Sequence, residues 1–132
     1  MTITNTIWKK DHEFISHLDH QSIKIDGSRK NGFGAKALLL SGLAACSGID
    51  IVDILKKMRV PFSHFEIEVK AAQTDDHPKV YTDIYVTYKM KTARKNEEKV
   101  RKAIDLSLEK YCGVSAMLRK NSQIHHQLEI LE

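Results

Sequence analysis

The sequence predicts an α+β domain whose strands pair antiparallel. Three observations predict this class: several segments alternate between polar and apolar residues, one long apolar segment has the length of a helix, and a later segment keeps helical spacing. The predicted order is two or three strands, a helix, a two-stranded hairpin, two helices and a final strand. Because the 132 residues hold no internal repeat and no linker, we expect a single domain over residues 1–132.

The N-terminal segment predicts a small meander followed by a loop. Short alternating stretches in residues 1–26 are separated by polar residues at 9–11 and 19–21, which is typical of two or three short strands. Residues 26–34 contain three glycines in nine positions, so we interpret them as a loop.

Residues 36–59 predict a helix that is apolar almost all round. Lys56, Lys57 and Arg59 suit its C-terminal end electrostatically, and Val60-Pro61 ends it. A helix of this composition must be covered on several sides, so we expect it to be central. Its apolar residues are Leu38, Leu39, Leu40, Leu43, Ile49, Ile51, Val52, Ile54, Leu55 and Met58.

The second half predicts a hairpin, two helices and a strand. Residues 65–71 and 83–90 alternate around a turn at 74–78, which predicts a hairpin with one face in water. Asn96 is a candidate cap for a second helix, and helical spacing continues to Tyr111. A short third helix follows Gly113, and residues 124–130 alternate as a last strand.

Composition and charge exclude several classes of protein. With 42% hydrophobic and 29% charged residues, the chain is neither disordered nor collagen-like, and two cysteines are too few for a disulfide-stapled scaffold. We expect neither a signal peptide nor a membrane span, and therefore a cytoplasmic protein with reduced thiols. The net charge of +4 is mild, and acidic residues dilute its densest basic run, residues 89–102, so nucleic-acid binding is disfavoured.

Cys46 and Cys112 are the candidate chemical residues. Each lies among small residues, within Ser41–Gly48 and Tyr111–Ala116. A glycine inside a helix costs about 1 kcal/mol relative to alanine, so we expect a backbone or a substrate to approach closely near Cys46. The alternative interpretation is two inert buried cysteines that act as small apolar fillers.

A reactive Cys46 would need a cation. The cysteine lies nearly three turns into its helix, so the helix dipole helps little, and Asp50 at i+4 would oppose ionisation. Activation must then come from a lysine or arginine elsewhere or on another subunit. Arg29 and Lys30 in the glycine-rich loop are candidates.

The two cysteine segments resemble those of the OsmC/Ohr family. Residues 37–55, which contain Ser41-Gly42-Leu43-Ala44-Ala45-Cys46-Ser47-Gly48, are similar to its first cysteine motif, and residues 109–118, around Cys112-Gly113-Val114-Ser115, to its second. The hairpin between them and the final strand match the family's order. The resemblance is to the small OsmC-like proteins in particular.

This resemblance implies an OsmC-like fold, with an antiparallel sheet wrapped around a long central helix in an intertwined homodimer. It implies a cysteine-based organic hydroperoxide reductase in oxidative stress defence, with active sites at the subunit interface. Cys46 would attack the peroxide and become a sulfenic acid, Cys112 would resolve it to a disulfide, and an external dithiol such as a lipoylated protein would reduce the disulfide. This chemistry needs neither a metal nor a cofactor.

One departure from the family keeps a second hypothesis open. Ala35 and Ala37 stand where the family's peroxidases usually carry proline and glutamate, and the expected early arginine falls near Asp26. The alternative is a weak or inactive OsmC-like protein that binds an apolar small molecule at the dimer interface. The sequence has no His-Glu-x-x-His motif and no Cys-His cluster at metal spacing, and His125 and His126 on the predicted last strand point to opposite faces, so we expect no metal site.

Overall fold

The computed structural model describes residues 1–132 and confirms the α+β class and the predicted order of elements. The chain forms two compact units, residues 1–39 and 40–132, so a single domain over residues 1–132 stays a prediction. The elements are β1 (Asn5–Lys10), β2 (Glu13–Leu18), β3 (Gln21–Asp26), α1 (Ala37–Lys57), β4 (His64–Gln73), β5 (Tyr81–Lys91), α2 (Glu97–Leu106), α3 (Gly113–Leu118) and β6 (Gln123–Leu131).

The first unit is the predicted meander, with three strands. β2 pairs antiparallel with both β1 and β3. Asp11 and Asp19 lie in the two turns with positive φ values of 46° and 53°, a conformation that aspartate tolerates better than most residues. The loop after β3 is organised by Asp26, which is 2% exposed.

The second unit contains a three-stranded sheet in the order β4-β5-β6. The β4–β5 hairpin is antiparallel as predicted, and Ile84, Val86, Tyr88 and Met90 are buried along one face. β6, however, pairs with β5 in parallel, where the sequence predicts antiparallel pairing. The helices between β5 and β6 supply the long crossover that a parallel pair needs.

Helix α1 covers the core with only one of its faces. Leu43, Ser47, Ile51 and Leu55 are buried, whereas Ile49 is 63% exposed and Leu39 48% exposed. The expectation that this helix is covered on several sides is therefore not met within one chain. By length and composition α1 also suffices to cross a membrane, as core helices of soluble proteins do, so the absence of a membrane span stays a prediction.

The second helical segment differs from its predicted form. The α-helix α2 ends at Leu106, and Ser107–Tyr111 forms one turn of π-helix before Cys112. Asn96 stands at the N-terminus of α2, but its side chain does not cap the helix; it donates a hydrogen bond to the Thr92 hydroxyl at 3.1 Å.

Candidate functional site

Cys46 lies in regular helix near the middle of α1. Its side chain is half-buried and packs against the edge of the core, and its thiol is free. On a helix the side chains three and four residues away lie beside a given side chain, and for Cys46 these include Gly42, which has no side chain, and Asp50. Its intermediate burial makes Cys46 the less buried of the two cysteines.

Cys112 lies directly after the π turn and begins α3. Its N–H donates to the Ser107 carbonyl at 2.7 Å, the i→i−5 bond that closes the π turn. Its sulfur accepts a hydrogen bond from the Ser115 N–H at 3.3 Å. With 3% exposure, the Cys112 thiol is held by the backbone on both sides and shielded from solvent.

The structure brings the two predicted cysteines together. Cys112 belongs to the buried core and Cys46 packs against that core, close enough to influence the Cys112 thiol, although 66 positions separate the two in the sequence. Burial raises the pKa of the Cys112 thiol above its usual range, the Ser115 N–H opposes this rise, and the neighbouring Cys46 adds to it. Cys112 is therefore a neutral thiol near pH 7, in contact with a more exposed one.

This arrangement suits sequential oxidation of two thiols. Cys46 is the less buried thiol, and a sulfenic acid formed there would have the neighbouring Cys112 thiol as its partner for a disulfide. Both cysteines are free in the structure.

A buried polar network adjoins the cysteine pair, and the sequence patterns do not reveal it. The Ser47 hydroxyl lies 2.6 Å from the Tyr88 hydroxyl, and the Ser107 hydroxyl lies 3.2 Å from Ser47 Oγ and donates to Asp50 Oδ2 at 3.0 Å. Burial raises the pKa of Tyr88 to about 12, with the Ser47 hydrogen bond opposing the rise and Cys112 adding to it. The network links α1, β5 and the π turn.

Asp50 is a member of this network. The sequence predicts that this carboxylate opposes ionisation of Cys46, and the structure shows that it accepts a hydrogen bond from Ser107 on the π turn. The only sequence signal for this role is its spacing, since Ser47 and Asp50 lie three residues apart and share a face of α1.

The glycine-rich loop is organised around Asp26. The carboxylate of Asp26 accepts hydrogen bonds from the N–H and the hydroxyl of Ser28 and from the N–H of Asn31, at 2.7 to 3.0 Å. These bonds, those from Ser28 above all, lower the pKa of Asp26 to about 2. Arg29 has a φ of 60° and packs beside Gly34. Activation of Cys46 by Arg29 or Lys30 stays a prediction.

An apolar groove of about 610 Å³ runs along the exposed side of α1. Cys46 is not one of its lining residues. A Cβ on Gly48 would lie 2.9 Å from Ile67 Cδ1, so the close neighbour there is a side chain of β4 and not the predicted backbone or substrate, whereas a Cβ on Gly42 would meet nothing within 4 Å. The groove is lined by Ser41, Ala44, Ala45, Gly48, Ile49, Val52, Asp53, Phe65 and Ile67.

The two adjacent histidines lie on opposite faces of β6, as the alternation predicts. His125 stacks on Tyr85 and lies 3.0 Å from Asp83, whereas His126 lies 3.5 Å from Asp105. Each histidine therefore has its own carboxylate partner, and the two rings do not converge.

Comparisons with known proteins place these features in a family context. The family model described as OsmC-like protein matches residues 26–127, which include both cysteines. The chain is 30% identical over 112 residues to protein YhfA of Escherichia coli K12, an alignment that covers 85% of this chain and 84% of YhfA.

Solved structures share the fold at lower identity. An OsmC-like protein from Mycoplasma pneumoniae superposes with a TM-score of 0.88 at 18% identity, over 100% of this chain and 98% of that one. The organic hydroperoxide resistance protein OhrB of Bacillus subtilis superposes with a TM-score of 0.66 at 19% identity, over 98% of each chain.

Proposed function

Because the chain belongs to the OsmC-like protein family, we propose that it is a thiol-dependent peroxidase that reduces organic hydroperoxides through Cys46 and Cys112. The observation that carries this proposal is the proximity of the two free thiols, one partly buried and one fully buried. The name of the Bacillus subtilis structure, an organic hydroperoxide resistance protein, supports the choice of substrate class. The activity would serve oxidative stress defence.

The proposed cycle has three steps. The Cys46 thiolate attacks the outer oxygen of the hydroperoxide, the O–O bond breaks, and the products are a Cys46 sulfenic acid and the alcohol. The Cys112 thiol then attacks the Cys46 sulfur, an S–S bond forms, and the hydroxyl group leaves as water. An external dithiol, such as a lipoylated protein, reduces this disulfide by thiol–disulfide exchange and leaves as its own disulfide.

Burial of Cys112 supports its role as the second thiol. Because its pKa is raised, Cys112 is a poor first nucleophile at neutral pH, and its 3% exposure keeps the peroxide away from it. Contact with Cys46 lets it act once a sulfenic acid has formed beside it. Reduced thiols at the start of the cycle fit a cytoplasmic protein, which we also propose.

We further propose that the active form is an intertwined homodimer. The exposed side of α1 is apolar, with Ile49 63% exposed beside the groove of about 610 Å³. A second copy that covered this face would remove an apolar patch from water, and it would bring its own cations to the site. An Ile49→Asp substitution should shift the mass measured by light scattering from dimer to monomer. Val80→Asp, at an exposed loop position, should leave the dimer intact.

A second candidate function rests on the same groove. Its lining is mostly apolar and wide enough for a small apolar molecule, which favours a binding protein with weak or no peroxidase activity. A Cys46 that resists iodoacetamide near neutral pH would favour this candidate over the peroxidase.

Consumption of hydroperoxide tests the peroxidase proposal. Cumene or tert-butyl hydroperoxide is added to the protein with dithiothreitol or a lipoylated protein as the reductant, and the remaining hydroperoxide is measured over time. We expect turnover with the natural sequence and none with Cys46→Ser. No consumption by the natural sequence, or full activity of Cys46→Ser, would exclude the proposal.

A further inference from the structure

Ser107 occupies a buried position between the two cysteine segments. Its side chain has 0% exposure, and its hydroxyl lies 3.2 Å from both the carbonyl oxygen and the hydroxyl of Ser47 and 3.0 Å from Asp50 Oδ2. Ser47 directly follows Cys46 in α1. The side chain of Ser107 is therefore hydrogen-bonded to the helical turn that carries Cys46.

The backbone of Ser107 is hydrogen-bonded to Cys112. Its carbonyl accepts the Cys112 N–H at 2.7 Å across the π turn. A single residue thus joins α1 through its side chain and Cys112 through its carbonyl, with no intervening residue on either side. Any rotation of the π turn relative to α1 would break at least one of these bonds.

The hydrogen bonds of Ser107 belong to a larger buried network. The Ser107 hydroxyl donates to the Asp50 carboxylate at 3.0 Å. It also lies 3.2 Å from the Ser47 hydroxyl, which in turn lies 2.6 Å from the hydroxyl of Tyr88 on the central strand β5. No buried side-chain nitrogen or oxygen lacks a partner, and a fully satisfied buried network holds its members in one arrangement.

We infer that Ser107 is a positioning residue that sets the contact between Cys46 and Cys112 and thereby the rate at which they form a disulfide. Disulfide formation requires a narrow range of separation and orientation of the two sulfurs, so small displacements slow it strongly. The inference deepens the proposed function, on which its place in peroxide turnover rests. Disulfide formation itself is measurable without any peroxide.

Reaction of the reduced protein with the aryl disulfide 5,5′-dithiobis(2-nitrobenzoate) tests the inference. Cys46 first displaces one thionitrobenzoate and forms a mixed disulfide. Cys112 then attacks the Cys46 sulfur, the second thionitrobenzoate leaves, and the Cys46–Cys112 disulfide remains. Overall, two thiols are oxidised, one aryl disulfide is reduced, and two protons are released. The second phase is unimolecular, so its rate does not depend on reagent concentration and reports the positioning of Cys112.

The Ser107→Ala substitution should slow the second phase about tenfold and leave the first unchanged, since Cys46 keeps its surroundings on α1. The matched control is Ser122→Ala, which removes another buried serine hydroxyl, bonded to the Tyr81 carbonyl at 2.6 Å. It should leave both phases unchanged. A second phase at the natural rate in Ser107→Ala, or slowed equally in both variants, would overturn the inference.

A pair of substitutions at Asp50 tests the positioning role of Ser107 without a substitution at Ser107 itself. Asp50→Asn and Asp50→Ala both remove the charge near Cys46, but only asparagine keeps an oxygen that accepts from Ser107. We expect the second phase to be about threefold slower in Asp50→Ala than in Asp50→Asn, and near the natural rate in the latter. Equal rates would overturn the inference, and this pair decides the matter if Ser107→Ala does not fold.

The outcomes separate this inference from the proposed function. A protein that shows both phases but leaves hydroperoxides intact would refute the peroxidase and retain the positioning role. If the natural sequence consumes hydroperoxides but the second phase keeps its natural rate in Ser107→Ala, the positioning role is refuted and the peroxidase proposal is retained.

Discussion

The segments that carry Cys46 and Cys112 differ in how they hold their thiols. Cys46 lies in regular α-helix and is partly buried, whereas Cys112 follows a π turn, is 3% exposed and is bonded through its N–H and its sulfur. The first segment gives access and the second gives fixed geometry. The unequal roles proposed for these two cysteines, which have similar sequence surroundings, rest on this difference.

The largest effect is expected from removing each thiol in turn. Cys46→Ser should lower hydroperoxide turnover by more than about 100-fold, because no other free thiol is exposed. Cys112→Ser should still consume about one equivalent and then stop at the Cys46 sulfenic acid. Dimedone labelling and mass spectrometry detect that acid. An equal loss of hydroperoxide turnover in both variants, with no dimedone adduct in Cys112→Ser, would contradict the proposed difference between the two segments.

The pH dependence of alkylation sharpens the same comparison. Burial raises the pKa of Cys112, so in Cys46→Ser the remaining thiol becomes a thiolate at a higher pH than an exposed cysteine does. Its reaction with iodoacetamide at pH 7 should be slower than its limiting rate at high pH by more than about 30-fold, the ratio for an unperturbed cysteine. The Cys46→Ser substitution removes the smaller contribution of the Cys46 thiol to the raised pKa of Cys112, whereas the larger contribution of burial remains. A half-maximal rate below pH 8.5 would contradict a buried Cys112.

The hydrogen bonds of the π turn predict a stability difference between the segments. Ser115 is fully buried, and its hydroxyl bonds the carbonyls of Leu108 and Cys112 at 3.2 and 2.9 Å. Ser115→Ala should lower the free energy of unfolding by about 1–2 kcal/mol, because those carbonyls lose a donor. The control, Ser41→Ala on the exposed side of α1, should change it by less than about 0.5 kcal/mol. Urea denaturation measures both, and similar changes would contradict the contrast.

The smallest expected effect concerns the glycines beside Cys46. Gly42→Ala should raise the free energy of unfolding by about 0.5–1 kcal/mol, because alanine favours helix and a Cβ there meets nothing within 4 Å. Gly48→Ala should raise the free energy of unfolding by less, because its Cβ would lie 2.9 Å from Ile67 Cδ1 and the Ile67 side chain must shift. A larger gain at Gly48 than at Gly42 would mean that the close approach to β4 is not a constraint.

Alternation and helical spacing are sufficient to predict most of the fold. The three-stranded meander, the β4–β5 hairpin and the apolar helix all follow from patterns within each segment. The parallel pairing of β6 does not follow, because alternation specifies which side chains share a face and not the direction of the neighbouring strand. The buried side of α1 is likewise hidden by a sequence that is apolar all round.

The sequence identifies the two candidate cysteines, but it does not predict the π turn and the hydrogen bonds around them. Ser107, Leu108 and Tyr111 continue the helical spacing of α2, so the pattern contains no sign of the π turn. Ser107 and its partners Ser47 and Asp50 are 60 and 57 positions apart, beyond any local pattern. Asn96 shows the same limit, since a residue that suits a helix cap instead bonds Thr92.

Oxidation of the reduced protein by one equivalent of cumene hydroperoxide, without any reductant, tests the account most directly. The protein is then digested without reduction and its peptides are identified by mass spectrometry. The account predicts loss of both free thiols and a single linked species that joins the peptides of Cys46 and Cys112, with one equivalent of the alcohol released. Intact hydroperoxide and two free thiols after the incubation would contradict it.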